Sequence, residues 1–299
     1  MSVPVPQPIL DHAVINVADQ LDVAHALFRR LGFQLTERGH HSLGSSNHLV
    51  VFGENYLELL GYEPGNAGRR ADLWQSPPGL SGLVWKSSDA ESEYQHLQRQ
   101  DLDGDPPASF HRPVTLPSGS VSEARFRTVR LRSSLIPNGR SFFCQHLTPE
   151  AVWQPAWQVH PNGVRNISEF VIVAQDPALA AQVYSHLFGS AKIVACPEGA
   201  FVLRAGAATV RFASADYAQQ RFGPLPKDYD GSARMVALGF VTDDLSKVKT
   251  VLQSGDISFQ QQPEAILVEA GQGFHLALRF YLRGQPPEHQ KMPLQSHAR

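Results

Sequence analysis

Cysteine is nearly missing: the 299 residues hold only Cys144 and Cys196, far apart and in no CxxC pair. That usage speaks against a disulfide framework or a cysteine-built zinc site, and for a reducing compartment. Charge of either sign is also in short supply. Lys and Arg number 26 and Asp and Glu 28, a net charge of -2, so no basic field exists to hold nucleic acid or an acidic membrane surface. No apolar run approaches the ~18 residues of a membrane span. The opening MSVPVPQPIL is broken by proline and lacks the basic start and long apolar stretch of a signal peptide. A Gly-rich phosphate loop, a serine nucleophile elbow and a zinc-protease helix are absent too. These absences lead us to expect a cytoplasmic protein without nucleic-acid or membrane partners, acting on or binding a small molecule.

What is present is 42% hydrophobic and 18% charged, enough for real cores in a globular chain, at a length that suits two ordinary domains. The informative feature is an internal repeat. Residues 12–17 alternate as a strand does, and 22–31 place Val23, Ala26, Leu27 and Leu31 at helical spacing before Gly32. Strands are predicted at 33–38, 47–52 and 56–62, parted by glycine-bearing turns. The same order returns with a strand at 80–86, a helix at 90–100 and strands at 114–116, 124–131 and 141–147. It returns again from 169 to 213, with a helix at 177–187, and from 236 to 282, with a helix at 245–253. Each strand-to-helix junction carries aspartate (Asp19, Asp89, Asp176 and Asp244), a good N-cap because its carboxylate accepts from free N–H groups of the first turn.

One helix over four strands cannot bury both faces of its sheet. The predicted fold is therefore α+β: four βαβββ modules paired into two incompletely closed eight-stranded barrels with helices outside. The expected divisions are a first barrel at 1–150, a connector at 151–166, a second barrel at 167–283 and a disordered tail at 284–299. Pro149, Pro155, Pro161 and Gly163 mark the boundary, where Trp153 and Trp157 argue for a packed connector. Asn162, before Gly163, reads as a turn residue.

The repeat and the segments ILDHAVINV (9–17), LGF (31–33), GSSN (44–47), YLELL (56–60), RFRTV (125–129), FFCQHLTPE (142–150) and HPNG (160–163) resemble the vicinal oxygen chelate superfamily. This superfamily includes glyoxalase I, bleomycin-resistance proteins and extradiol dioxygenases, and the likeness is greatest to glyoxalase-like domain proteins. It covers about the first 165 residues; the second half matches in pattern only. The resemblance implies a divalent metal ion (Zn, Ni, Mn or Fe) held by one residue from the first strand and one from the last strand of each paired module. Carried over by position, the metal ligands are His12, Glu58 and Gln145, while Gly82 leaves the fourth place without a side chain. Alternation supports the first pair: His12, Val14 and Asn16 share one face of their strand, and Tyr56, Glu58 and Leu60 one face of theirs.

Plainer roles stand beside these. His12 can be a hydrogen-bonded core histidine, Glu58 the partner of Arg125 or Arg127, and Gln145 an ordinary bonded amide. Gln145 cannot act as a general base, so glyoxalase I activity is disfavoured and His48 or His146 are the candidate catalytic groups. In the second half only Glu169 and Val236 fall at ligand positions, which disfavours extradiol ring cleavage and makes that barrel structural. Arg112, Arg125, Arg127 and Arg130 cluster in sequence; Arg125 and Arg127 are the candidate substrate-binding residues, with a solvated charged face as the alternative. Two functions follow: a metal-dependent lyase, isomerase or hydrolase acting on a small oxygen-rich metabolite, or a metal-free small-molecule sequestration protein. A scaffold for an oligomer is a third possibility, and pairing through sheet edges makes a homodimer an expected assembly.

Overall fold

The computed structural model describes residues 4–196 and 199–284. The first half runs β1 (Leu10–Ala18), α1 (Leu21–Arg30), β2 (Gly39–His40), β3 (Ser46–Val51) and β4 (Tyr56–Gly61). After a short α2 (Ala71–Trp74) come β5 (Gly79–Ser87), α3 (Ala90–Arg99), β6 (Ala108–Thr115), β7 (Val121–Arg130) and β8 (Arg140–His146). The second half repeats this as β9 (Val164–Val173), α4 (Pro177–Phe188), β10 (Ile193–Ala195), β11 (Phe201–Ala205), β12 (Ala208–Ala213) and α5 (Ala215–Phe222). It ends with β13 (Arg234–Thr242), α6 (Leu245–Ser254), β14 (Gln260–Gln262), β15 (Ala265–Val268) and β16 (Ala277–Leu282).

The strands form two eight-stranded sheets, ordered β2-β3-β4-β1-β5-β8-β7-β6 and β10-β11-β12-β9-β13-β16-β15-β14. In each, the first strands of two modules lie antiparallel at the centre, and each first strand pairs in parallel with its own module's last strand. The predicted α+β architecture of paired modules is what the chain adopts, with the long helices outside.

Alternation sorts the faces. Ala13, Ile15 and Val17 of β1 bury against Leu21, Ala24 and Phe28 of α1, while Val14 joins Leu49, Tyr56 and Phe126 on the concave side. The aspartate junctions cap α3, α4 and α6, where Asp89, Asp176 and Asp244 accept first-turn N–H groups. At α1 the N-cap is Gln20 without a side-chain bond, and Asp19 stays exposed because the chain turns at Ala18, φ 48°.

Residues 33–38 do not form the predicted strand. Thr36 N–H donates to Leu49 O at 2.9 Å, but Leu49 N is taken by Thr36 Oγ1 and the Thr36 carbonyl by His48 Nδ1, so a single backbone bond stands where a ladder would continue. The predicted last strand starts late, at Ala277, because Phe274 and His275 both have positive φ. Neither α2 nor α5 was expected from the sequence.

The two barrels share one apolar core. Phe188 and Tyr184 of α4 pack on Trp85 of β5, with ring centroids 4.7 and 5.8 Å away, and Phe33 lies 5.2 Å from Phe240 of β13. The connector is packed as well: Asn162 is buried, bonding Leu31 O and Val164 N, while Gly163 takes the positive φ of 69°. Residues 285–299, most of the stretch expected to be a disordered tail, lie outside the described residues. Among the described residues no helix is long and apolar enough to cross a membrane.

Candidate functional site

The concave side of the first sheet encloses a cavity of about 290 Å3. At its wall His12 (β1) and Glu58 (β4) come together, Nε2 to Oε2 3.8 Å, both nearly closed to solvent. The imidazole stacks on Tyr56, centroids 4.2 Å apart.

Behind His12 stands Asp11, fully buried. β1 bulges between Leu10 and His12, which brings this neighbouring side chain to the same side. One oxygen, Asp11 Oδ2, accepts from His12 Nδ1 at 2.7 Å and His146 Nε2 at 2.9 Å; the other has no partner. Burial by itself would raise the Asp11 carboxyl, but the two imidazoles prevail and hold it well below the usual carboxylate range. An ionised carboxylate only accepts, so His12 Nδ1 carries a proton and Nε2 is the ring nitrogen turned to the cavity.

Glu58 is likewise kept ionised. Burial works against this, while His41, His12, the 2.6 Å bond from Asn47 Nδ2 and Arg140 outweigh it. The third imidazole, His41, has Nε2 3.9 Å from Glu58 Oε1; burial pulls its pKa down to about 4 despite Glu58, leaving it neutral at physiological pH.

The second module offers nothing comparable. In β1 the residue two beyond His12 is Val14, which lies beside Glu58 of β4. In β5 the residue two beyond Gly82 is Val84, which lies beside Phe142 of β8. The place matching Glu58 is therefore Phe142, and Gln145 belongs to the other face. Its amide accepts from Ala90 N at 3.2 Å and donates to Ser88 O at 2.8 Å, holding the start of α3. A side chain at Gly82 would also be obstructed, its Cβ 2.7 Å from that of Val14.

The other expected residues part company by the same alternation. His48 points to the helix side, against His25, with Nδ1 on Thr36 O. Arg125 and Arg127 face outward and pair with Glu123 and Glu91, so neither they nor His48 nor Gln145 reaches the cavity. The arginines that do line it are Arg70, Arg112, Arg130 and Arg140, of which only Arg112 and Arg130 stood in the sequence cluster.

In the second sheet Glu169 occupies the place of His12. It is fully buried, receives bonds from Arg211 Nε (2.8 Å) and Tyr281 Oη (2.6 Å), and lies 3.6 Å from Arg221 of α5. Arg211 sits beside Val171 as Glu58 sits beside Val14. Ala218 and Phe222 of α5 pack into that concave face. The cations and the helix close the second hollow from within.

Comparison with known proteins fits this geometry. A family model described as a glyoxalase-like domain matches residues 10–188. The chain belongs to this family. The glyoxalase-like match runs past the first sheet into α4, the helix that covers Trp85. A hypothetical protein from Staphylococcus aureus is similar in structure, with TM-score 0.64 and 13% identity over 91% of this chain and 98% of that one. A mutant 4-hydroxymandelate synthase from Streptomyces coelicolor gives TM-score 0.60 and 13% identity, covering 94% of each chain. A fusion of a xylose isomerase-like TIM barrel with 4-hydroxyphenylpyruvate dioxygenase gives 0.55 and 14%, over 94% of this chain and 50% of the other. No curated protein matches in sequence. The glyoxalase-like domain thus sits in the vicinal oxygen chelate superfamily, and the low identities to these structures speak for fold alone.

The donor chemistry fits a divalent cation at two places. His12 Nε2 and Glu58 Oε2, 3.8 Å apart, are within joint reach of one ion at ~2.1 Å from each, a little wider than the ~3.4 Å of a tetrahedral pair. His41 supplies a neutral imidazole beside them, and Asp11 stands behind His12 as an outer carboxylate does in carboxylate–histidine–zinc sites. Asp11, Cys144 and His146 also bring ligand atoms within 4.8 Å of one another, a group able to hold an ion. There, however, burial together with Asp11 and Glu58 keeps the thiol protonated, and Asp11 is already engaged by both imidazoles.

Proposed function

We propose that the N-terminal barrel is the site of a metal-dependent enzyme, a lyase or isomerase, that takes a small oxygen-rich molecule into its hollow. His12 and Glu58 are the protein donors to the cation. The observation that carries this reading is their 3.8 Å approach at the cavity wall, with Asp11 fixing the imidazole from behind. When bound, the cation supplies Lewis-acid stabilisation of negative charge on substrate oxygen. The chain's own residues do the rest. Asp11 sets the tautomer of His12, His146 extends that hydrogen-bonded chain to a second imidazole, and Asn47 aims the carboxylate of Glu58. Phe142, standing where a second carboxylate would, cannot carry a proton, and His12 gives its Nε2 to the cation, so the neutral His41 is the imidazole of the cavity wall left to accept one.

A second reading is favoured by one observation: Gly82 and Phe142 remove both donors of the second module, as suits a metal-free hollow that sequesters its ligand. Metal content separates the two. After loading with zinc, nickel, manganese or iron, the full chain is expected to retain about one ion, lost in His12→Ala and in Glu58→Gln but kept in Cys144→Ala. No retained ion from any loading would establish the sequestration reading; loss in Cys144→Ala alone would move the ion to Asp11, Cys144 and His146.

A further inference from the structure

Taking the N-terminal hollow as the ligand site, and so resting on that reading, we infer that its ligand carries a carboxylate, gripped by Arg112 and Arg140, on an apolar single-ring body. Arg112 reaches in from β6 and Arg140 from the first residue of β8. Arg112 is 2% exposed, yet its Nε and Nη2 have no hydrogen-bond partner, and neither has Arg140 Nε. Among the described residues neither arginine makes a salt bridge, whereas Arg125, Arg127 and Arg130 all do. A buried guanidinium with unmet donors is a costly thing to keep, and its planar fork matches a carboxylate bidentately.

The fold makes deliberate room for it. A Cβ on Gly39 would stand 2.6 Å from Asn47 Oδ1 and 2.9 Å from Arg112 Cδ and Nη1, so a side chain there would make Asn47 and the arginine shift. The wall also carries Glu58, Asp105, Arg70 and Arg130, the last two held by Asp72, so Arg112 and Arg140 are the lining arginines that keep unmet donors without an ion pair. Phe110, Phe126 and Phe142 line the remaining wall, and about 290 Å3 holds one ring with its acid. Burial pushes both arginines down, Arg140 to about 9, although Glu58 opposes this in each; both stay cationic at neutral pH.

The test is calorimetric titration of the full chain with phenylacetate and with its neutral amide, phenylacetamide. The acid is expected to bind about tenfold or more tighter than the amide. Arg112→Met and Arg140→Met should each abolish that preference, leave the bound metal in place, and raise the thermal midpoint by deleting an unpaired buried charge. His12→Ala should lose the metal and keep the preference, so the metal reading and this one fail separately. Should Arg112→Met not fold, Arg112→Lys, which keeps charge but loses the fork, must still weaken the acid. The inference is overturned by equal binding of acid and amide, by no acid binding up to about 10 mM, or by a preference that survives both arginine variants.

Discussion

Asp11 illustrates how one side chain organises a site it does not line. One oxygen of its carboxylate fixes two imidazoles at once, and Asn in its place would keep an acceptor there but remove the negative charge that strengthens both bonds. Asp11→Asn is expected to lower metal affinity about 10–100-fold, measured by competition with a chelator, while circular dichroism stays native. Glu93 of α3 gives a residue-scale test of a different kind. Burial raises its carboxyl to about 7, with Asp89 adding to the rise and a short bond from Ser87 opposing it. The folded state then holds a proton that the unfolded chain releases near pH 4.5. Stability from this group is therefore full below that value and is lost as pH climbs through about 7. Glu93→Gln should flatten this slope and stabilise the protein at pH 8 by roughly 1–2 kcal/mol after solvent screening; denaturant melts at pH 5 and 8 that show no change in slope would refute it.

Which residues the sequence could disclose follows from the same physics. His12 and Glu58 were legible because strict alternation on two good strands places them on one face. Gln145 was placed three residues past the matching position and so on the opposite face, since the ladder, not the motif, decides that Phe142, Cys144 and His146 face in. Asp11 was hidden by its bulge, which puts consecutive residues on the same side and defeats any period-two rule. Arg112 and Arg140 carried no signal of their own: an arginine on a half-exposed strand looks like a solvated charge until register shows which way it points.

At the scale of elements, the helix that follows each first module decides the fate of its hollow. α2 is a single turn of four residues, and Leu73 alone of it is buried; α5 has eight and lays Ala218, Phe222 and Arg221 into the second barrel. Close strand packing explains the vacant ligand place as well. Gly82→Ala should destabilise by about 1–3 kcal/mol, because the new methyl meets Val14, and Val14→Ala in the same chain should recover part of the loss. Equal stability of Gly82→Ala and the parent in urea would show that the strands can part. The βαβββ repeat was readable because caps at Asp89, Asp176 and Asp244 and the glycine stops are local signals. α2 and α5 were not, being short and shaped by what they cover.

For the whole molecule, the shared core matters more than the two-sheet division. Trp85 of the first barrel is roofed by Tyr184 and Phe188 of α4, and Phe33 reaches Phe240 and Phe280 of the second. Calorimetry of the full chain should show one unfolding transition rather than two, and a chain ended at residue 150 should expose Trp85 and fail to give a cooperative melt. Two resolved transitions, or a stable short form, would mean that the barrels stand alone.

The buried pair of Glu169 and Arg211 carries its own arithmetic. The repeated topology gives this chain two concave faces, and on the second Arg211 meets Glu169 at the places that Glu58 and His12 hold on the first. A protein drawn with twofold internal repetition should accordingly behave in solution as a one-to-one receptor, its titration curve breaking at a single equivalent per polypeptide.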